Sequence, residues 1–260
     1  MRESSQPASS SLFDLTGRST IVTGASSGLG RQFALALNRA GAIVFAVARR
    51  EDRLHDLARE APGVVPIVCD LSSAAARAQL VETVLGECGH IHVLVNNAGV
   101  GGSIGALEET IDGFKALIEI NLVAPFDLAR LAVAGIRQCE PLSIINIASI
   151  RGLVGIGKIP AAGYAASKGG VIALTRELAS QWGERNVRVN ALAPGWFATE
   201  MTGDDLAGDE KSARWLRSRT PLVRIGRAGE LDGALLFLAS DASSYMTGQV
   251  VAVDGGWTAL

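Results

Sequence analysis

The sequence predicts an α/β protein in which a doubly wound, seven-stranded parallel sheet carries helices on both faces. Three observations point there. From Arg18 onward, short β-branched runs alternate with longer helical patterns, the signature of βαβ units whose strands are covered on both sides. The helical stretches are long enough to cross back over the sheet in the favoured right-handed sense. Finally, 260 residues with 48% hydrophobic and 19% charged content can bury a substantial core, yet leave no material for a second large domain.

Strands are expected at Ser19 to Val22, Ala42 to Val47, Val64 to Val68, Val93 to Val95, Ser143 to Ile147, Arg188 to Ala193 and Val250 to Val253. Leu29 to Ala40, Ala74 to Glu87 and Tyr164 to Gly183 are among the helical stretches between them, and no internal repeat is evident. Gly195 to Ala228, rich in charge, Gly, Trp and Thr, breaks the alternation between a late strand and the last helix, which marks it as a mobile substrate lid. Residues 1–11 are polar and Ser-rich and lack the apolar stretch of a secretory signal, so they are expected to form a disordered tail before a domain spanning 12–260.

A formal charge of -2 supplies no basic field for nucleic acid, which leaves a small molecule as the expected partner. Cys69, Cys88 and Cys139 lie far apart without ligand spacing, and His55, His90 and His92 share none with carboxylates or cysteines. Neither a metal nor a disulfide framework is expected, and a reducing, cytoplasmic setting fits. The longest apolar runs fall far short of the roughly 20 residues of a spanning helix.

Thr23-Gly24-Ala25-Ser26-Ser27-Gly28-Leu29-Gly30 follows the first β-run and opens the first helical pattern. Its glycines allow a tight turn, close backbone approach to a phosphate and close helix packing, while the helix start offers unpaired N–H groups to an anion. A dinucleotide pyrophosphate is the natural ligand, and the arrangement is of the Rossmann type. Cofactor choice is set at the end of the second strand, which reads Val47-Ala48-Arg49-Arg50 with no carboxylate for a ribose hydroxyl. A guanidinium there can grip the 2′-phosphate of NADP, with Arg49 the first choice, so NADP(H) is preferred and NAD(H) stays open. The competing reading pairs these arginines with Glu51 and Asp52 on a solvated helix start. Asp70, followed by Leu71 after the third strand, either accepts from the adenine amino group or caps the helix near Ser73.

Tyr164-Ala165-Ala166-Ser167-Lys168 places Tyr164 and Lys168 on one helix face. A phenol has a reference pKa near 10, so acting near neutrality requires about 4 kcal/mol of preference for phenolate. An ammonium about 4 Å away at an effective dielectric near 20 supplies that amount. An isolated pair of this spacing is an ordinary surface Tyr and Lys. Here Asn96-Asn97-Ala98-Gly99, Asn121, Ser149, Pro194-Gly195 and Thr199-Glu200-Met201 accompany it, mostly at the carboxyl edge of the sheet, where open α/β folds bind ligands.

Together these motifs resemble the short-chain dehydrogenase/reductase family, in its compact single-domain branch, from about Leu15 to Leu260. The resemblance implies Asn121, Ser149, Tyr164 and Lys168 as a catalytic tetrad and Thr23 to Gly30 as the cofactor loop. It implies that Asn97, Ala98 and Gly99 line the cofactor, that Lys168 holds the nicotinamide ribose, and that Thr199 bonds the carboxamide. Tyr164, Pro194, Gly195, Phe197 and Met201 complete the expected cofactor contacts. Hydride transfer between a nicotinamide and a ketone or secondary alcohol follows, with Tyr164 moving the proton, Ser149 polarising the oxygen and Asn121 placing a relay water. Val253-Asp254-Gly255-Gly256 is implied near a subunit interface, and a homotetramer, or a homodimer, is expected. Labels such as 3-oxoacyl-carrier-protein reductase suit the pattern, although no residue singles out an acyl carrier. The rival reading is a non-catalytic NADP(H) sensor, which has no need of the tetrad.

Fifteen positions separate Ser149 from Tyr164, two more than in the compact branch. The longer loop holds Arg151, Val154, Lys158 and Ile159 and is expected to face Trp196, Phe197, Met201 and Trp215 across a mainly apolar, roomy pocket. Ser149, Arg151, Val154, Ile159, Tyr164, Trp196 and Trp215 are the expected substrate contacts. Arg151 or Lys158 either meets an acidic substrate group or is solvated. The acidic run Asp204, Asp205, Asp209 and Glu210 reads most simply as a solvated part of the lid.

Overall fold

The seven β-branched runs pair into one sheet. They are β1 (Ser19–Thr23), β2 (Ile43–Ala48), β3 (Val64–Val68), β4 (Val93–Asn96), β5 (Leu142–Ile147), β6 (Val187–Pro194) and β7 (Val250–Val253), in the order β3-β2-β1-β4-β5-β6-β7 with every pair parallel. The computed structural model describes residues 12–137, 140–200, 203 and 210–260. The expected tail, Cys139, Met201, Asp204, Asp205 and Asp209 lie outside the described residues.

Every residue of β1 and β5 is buried, which is why Ile21-Val22 and Ile144-Ile145 stand side by side and do not alternate with exposed polar residues. Two cores flank the sheet. On one face α1 (Gly28–Arg39) contributes Phe33 and Leu37, α2 (Glu51–Glu60) Leu54 and Leu57, and the helix Asp232–Ala239 Leu235 and Leu238. On the other, α3 (Ala74–Cys88) contributes Leu80 and Val84, α5 (Ala124–Gly135) Leu128 and Ala132, and α6 (Ala162–Trp182) Leu178. Between α3 and α5 runs α4 (Ile111–Ile118), followed by a π-helical turn, Glu119–Val123. The connection after β6 holds its own helix, α7 (Glu210–Arg219), and is pinned by a bridge between Phe197 and Gly226; the helix Asp232–Ala239 is α8.

Local chemistry sets the ends. Ser73 caps α3 by accepting from the Ala76 amide at 3.3 Å, and Gly89 closes that helix in the left-handed conformation (φ 71°). Asp70 instead closes the turn before the helix, accepting from the Ser72 amide at 3.0 Å and from its hydroxyl at 2.9 Å. The capping alternative for Asp70 therefore gives way, since Ser73 does that work itself. Asn96, Asn146 and Thr175 form a buried chain of side-chain bonds (2.9 and 3.0 Å) that ties β4 and β5 to α6.

Arg77 on α3 is buried and binds Asp127 of α5 at 2.7 Å, Glu119 of the π turn at 3.2 Å and the Leu71 carbonyl at 2.6 Å. Burial pushes the Asp127 carboxyl up, but bonds from Arg77 and Arg130 more than offset this and hold it below the usual range. Arg77→Ala would leave Asp127 with Arg130 alone and the Leu71 carbonyl without its donor, and the expected loss is about 1–3 kcal/mol, read by denaturant unfolding. An unchanged midpoint would show that the network contributes nothing.

At the opposite, amino edge of the sheet, His92 Nδ1 accepts from the Ser19 amide at 3.1 Å and lies edge-on to His90, 4.5 Å between centroids. Burial, then the neighbouring His90, lowers its pKa from 6.5 to about 4. Between those values the unfolded chain holds the extra proton, so stability present at neutral pH is lost as pH falls through that window. Half-exposure reduces the loss to about 2 kcal/mol. His92→Asn is expected to flatten the pH 7 to pH 4 stability curve by that amount relative to wild type, and parallel curves would contradict the assignment.

Candidate active site

The carboxyl ends of β1, β4, β5 and β6 open onto a cleft of about 830 Å³. At its base the chain leaves β1 through Gly24, whose φ of 71° suits glycine and whose hypothetical Cβ would lie 2.9 Å from the Ala98 Cα. A Cβ on Gly30 would stand 2.3 Å from the Gly24 carbonyl. The loop is thus closed against Asn97 and Ala98, which it binds through Thr23: the hydroxyl accepts both amides at 3.0 Å, and the Thr23 carbonyl accepts from Asn97 Nδ2 at 2.8 Å. Bare backbone and the start of α1 line the cleft here, together with Ser26, Ser27, Gly28 and Leu29, a cradle suited to a phosphate.

Arg49, Arg50, Asp70 and Leu71 line the same end. Arg50 donates to Ser26 Oγ at 3.1 Å, to Ser27 Oγ at 2.6 Å and to Glu200 at 3.0 Å, and Arg53 also binds Glu200. Arg53, then Arg50 and Ser27, hold the Glu200 carboxyl down at about 2. Neither arginine is paired with Glu51 or Asp52 among the described residues. The Glu200 contact had no sequence signal, because 150 positions separate it from Arg50.

At the other end, Ser149, Tyr164 and Lys168 meet. Ser149 ends the β5 segment and Tyr164 sits in the first turn of α6, one residue after Gly163, whose amide binds Glu109 at 2.9 Å. Glu109 thereby replaces the missing side-chain cap of α6, a role the sequence analysis did not anticipate. The Ser149 hydroxyl stands near enough to the Tyr164 phenol to lower its pKa despite the longer loop between them. Burial pushes the Tyr164 phenol up, while the Ser149 bond and the charge of Arg151 pull it down. Lys168 is buried, donates to the Ile147 carbonyl at 2.7 Å and faces the Tyr164 ring at 5.7 Å from its centroid; burial lowers its pKa to about 8. The cation whose charge acts on the phenol is thus Arg151, and the expected contribution of Lys168 is not among the causes of its shift.

Asn121 is fully buried in the π turn behind the cleft. Its Nδ2 donates to the Val100 carbonyl at 2.8 Å and to Ser167 at 3.0 Å, while Oδ1 accepts from the Val100 amide at 2.8 Å. Both donors are committed, and the remaining Oδ1 lone pair is what the side chain keeps for a water. Gly99, Pro194, Gly195, Phe197 and Thr199 also line the cleft, as do Val100 to Ser103, which the sequence analysis left out.

Beside Ser149 the cleft is backed by an aromatic cluster. Trp196 meets Trp257 edge-on at 5.9 Å, and Trp257 meets Trp215 at 5.6 Å. Val154, Ile156 and Ile159 from the longer loop pack on this cluster. Of the expected substrate contacts, Ser149, Arg151, Tyr164 and Trp196 line the cleft, whereas Val154, Ile159 and Trp215 stand behind it. Lys158 is exposed and stacks on Trp215, 4.7 Å from the ring centroid.

The described residues contain no cluster of metal-ligating side chains and no helix long and apolar enough to cross a membrane. Residues 24–258 match the family model described as enoyl-(acyl carrier protein) reductase. The chain is 38% identical over 246 residues to the 3-oxoacyl-[acyl-carrier-protein] reductase of Thermotoga maritima, covering 93% of this chain and 98% of that one. It superposes on a short-chain type dehydrogenase/reductase from Mycobacterium marinum with a TM-score of 0.90 at 35% identity, covering 96% and 98% of the two chains. A gluconate 5-dehydrogenase from Burkholderia cenocepacia in complex with NADP and tartrate matches with a TM-score of 0.90 at 33% identity, covering 97% of this chain and all of that one (100%). The chain therefore belongs to the short-chain dehydrogenase/reductase family of oxidoreductases.

Proposed function

We propose that this chain interconverts a ketone and a secondary alcohol with NADP(H), as a carbonyl reductase or alcohol dehydrogenase. The observation that carries the reading is one cleft with a phosphate cradle at one end and the joined Ser149, Tyr164 and Lys168 at the other. The cradle fits the cofactor, since the absent Cβ atoms of Gly24 and Gly30 let the loop close on Asn97 and Ala98 with its backbone bare toward the cleft. Arg49 and Arg50 suit a 2′-phosphate, and the related gluconate 5-dehydrogenase is an NADP complex. Thr199 and Phe197 line the nicotinamide end.

When bound, NADP(H) supplies or accepts the hydride. Ser149 holds the substrate oxygen, and Tyr164 donates its phenolic proton to that oxygen on reduction or takes it back on oxidation. The Lys168 ammonium stabilises the phenolate that remains. Asn121 positions a water through its spare lone pair, giving the proton a route to solvent. The wall of Trp196 and its neighbours excludes water, so each of these charges counts for more.

The segment 195–228 acts as the lid and a homotetramer is the proposed assembly, in a cytoplasmic, reducing setting that suits unpaired Cys69 and Cys88. Two separate apolar exposures support the assembly: Val123 and Phe126 at α5, and Tyr245 and Leu260 beside the edge strand β7. Arg49 supplies the test of cofactor choice. Arg49→Ala is expected to cut NADPH over NADH preference in kcat/KM by about 30-fold, the worth of a lost charge-assisted phosphate contact. A preference left unchanged would assign the phosphate to other groups.

A further inference from the structure

We propose that Ser167 is a positioning residue for the reaction, one that acts from behind the cleft by locking the side-chain amide of Asn121 and, through it, the cleft wall at Gly99 and Val100. The inference rests on the reductase reading above and adds a residue to it.

Ser167 and Asn121 are both fully buried, and neither lines the cleft. The Ser167 hydroxyl donates to the Tyr164 carbonyl at 2.8 Å, three residues back in the first turn of α6. A hydroxyl has one proton, so with that bond made Ser167 can only accept from Asn121, whose Nδ2 lies 3.0 Å away. On its other side the same amide meets the Val100 backbone, donating to the carbonyl and accepting from the N–H, both at 2.8 Å. The reverse orientation would set Oδ1 against two acceptors and Nδ2 against a donor. One orientation therefore satisfies every group, and Ser167 supplies the acceptor that completes it.

What this lock holds is next to the reacting groups. A Cβ built on Gly99 would lie 3.3 Å from Asn121 Oδ1 and 3.6 Å from Lys168 Nζ, so the amide oxygen and the ammonium stand against the same piece of chain. Gly99 and Val100 line the cleft, and Lys168 follows Ser167 directly. The bonds from Tyr164 through Ser167 and Asn121 to Val100 thus tie the helix that carries Tyr164 and Lys168 to the wall beside them. Removing the Ser167 oxygen leaves a buried Asn121 N–H without an acceptor, and the amide then gains by turning elsewhere. Such a turn takes Oδ1 from the Val100 amide and from the side facing Lys168, which is where its lone pair serves the proton route.

The test follows Ser167→Ala, Asn121→Ala and the double variant with NADPH and whichever neutral ketone the wild type reduces fastest. Ser167→Ala is expected to lower kcat about tenfold, while the KM of the ketone and the binding of NADPH stay within about twofold of wild type. Because Ser167 acts through Asn121, adding Ser167→Ala to Asn121→Ala should cost nothing further in kcat. Amide hydrogen exchange supplies a readout without turnover. The Val100 amide should exchange about tenfold faster in Ser167→Ala and in Asn121→Ala, and at the wild-type rate in Tyr164→Phe, which keeps the carbonyl that holds Ser167. A wild-type kcat in Ser167→Ala with only a lower Tm would reduce Ser167 to a structural residue. Additive losses in the double variant, or unchanged exchange at Val100, would equally overturn the lock. A wild type that reduces no ketone would sink the reductase reading and this role with it, and exchange at Val100 would then report on the lock alone.

Discussion

Tyr164→Phe should lower turnover by about 10³-fold, while NADPH binding stays within about threefold of wild type. The substitution deletes one hydroxyl and keeps the ring. Lys168 should stay in place, because its ammonium is fixed by the Ile147 carbonyl and not by the phenol oxygen. Ser149 would lose one partner but keep the Arg151 amide. What disappears is the phenolic proton proposed to reach the substrate oxygen from beside Ser149. Single-turnover changes in nicotinamide absorbance together with a cofactor titration check this. Loss of cofactor binding in parallel with turnover would mean that the tyrosine acts structurally.

Gly30→Val should weaken NADPH binding by about 100-fold or more, because the loop cannot accept a side chain without moving the backbone that forms the cradle. Even the first added carbon would lie 2.3 Å from the Gly24 carbonyl and 2.4 Å from Asn97 Nδ2. Neither atom can retreat: Gly24 closes on Ala98, and Asn97 is bound to the Thr23 carbonyl. The overpacking should also cost about 1–3 kcal/mol of stability. Thermal unfolding with and without NADPH separates the two effects. The variant is expected to melt lower and to gain nothing from cofactor, whereas a wild-type shift on adding NADPH would show that the cradle lies elsewhere.

All seven strands were readable from the sequence to within about a residue, since each is a short run rich in β-branched residues between longer helical patterns. The glycine loop and the Tyr164–Lys168 pair were equally readable, each being a local pattern on a strand end or helix face. The π turn at Glu119–Val123 was not, because its residues suit an α-helix as well and the widened turn arises from packing among α4, α5 and α6. Long-range partners were also hidden. Nothing in the spacing linked Glu200 to Arg50, or Glu109 to the start of α6. Of the two adjacent arginines after β2, Arg49 was the first choice by sequence; both line the cleft, and what the sequence did not show is that Arg50 turns onto Ser26 and Ser27. Similarly, the longer loop after Ser149 read as apolar with two cations, and its fold sends Arg151 into the cleft and leaves Lys158 outside on Trp215.

The most direct test of the central claim is the change in nicotinamide absorbance when a panel of ketones and secondary alcohols is offered with NADP(H) or NAD(H) to the wild-type protein and to Tyr164→Phe. The account predicts turnover that is faster with NADP(H) and is lost in the variant. Saturable cofactor binding without turnover of any compound in the panel would contradict it and bring forward a nucleotide-sensing role.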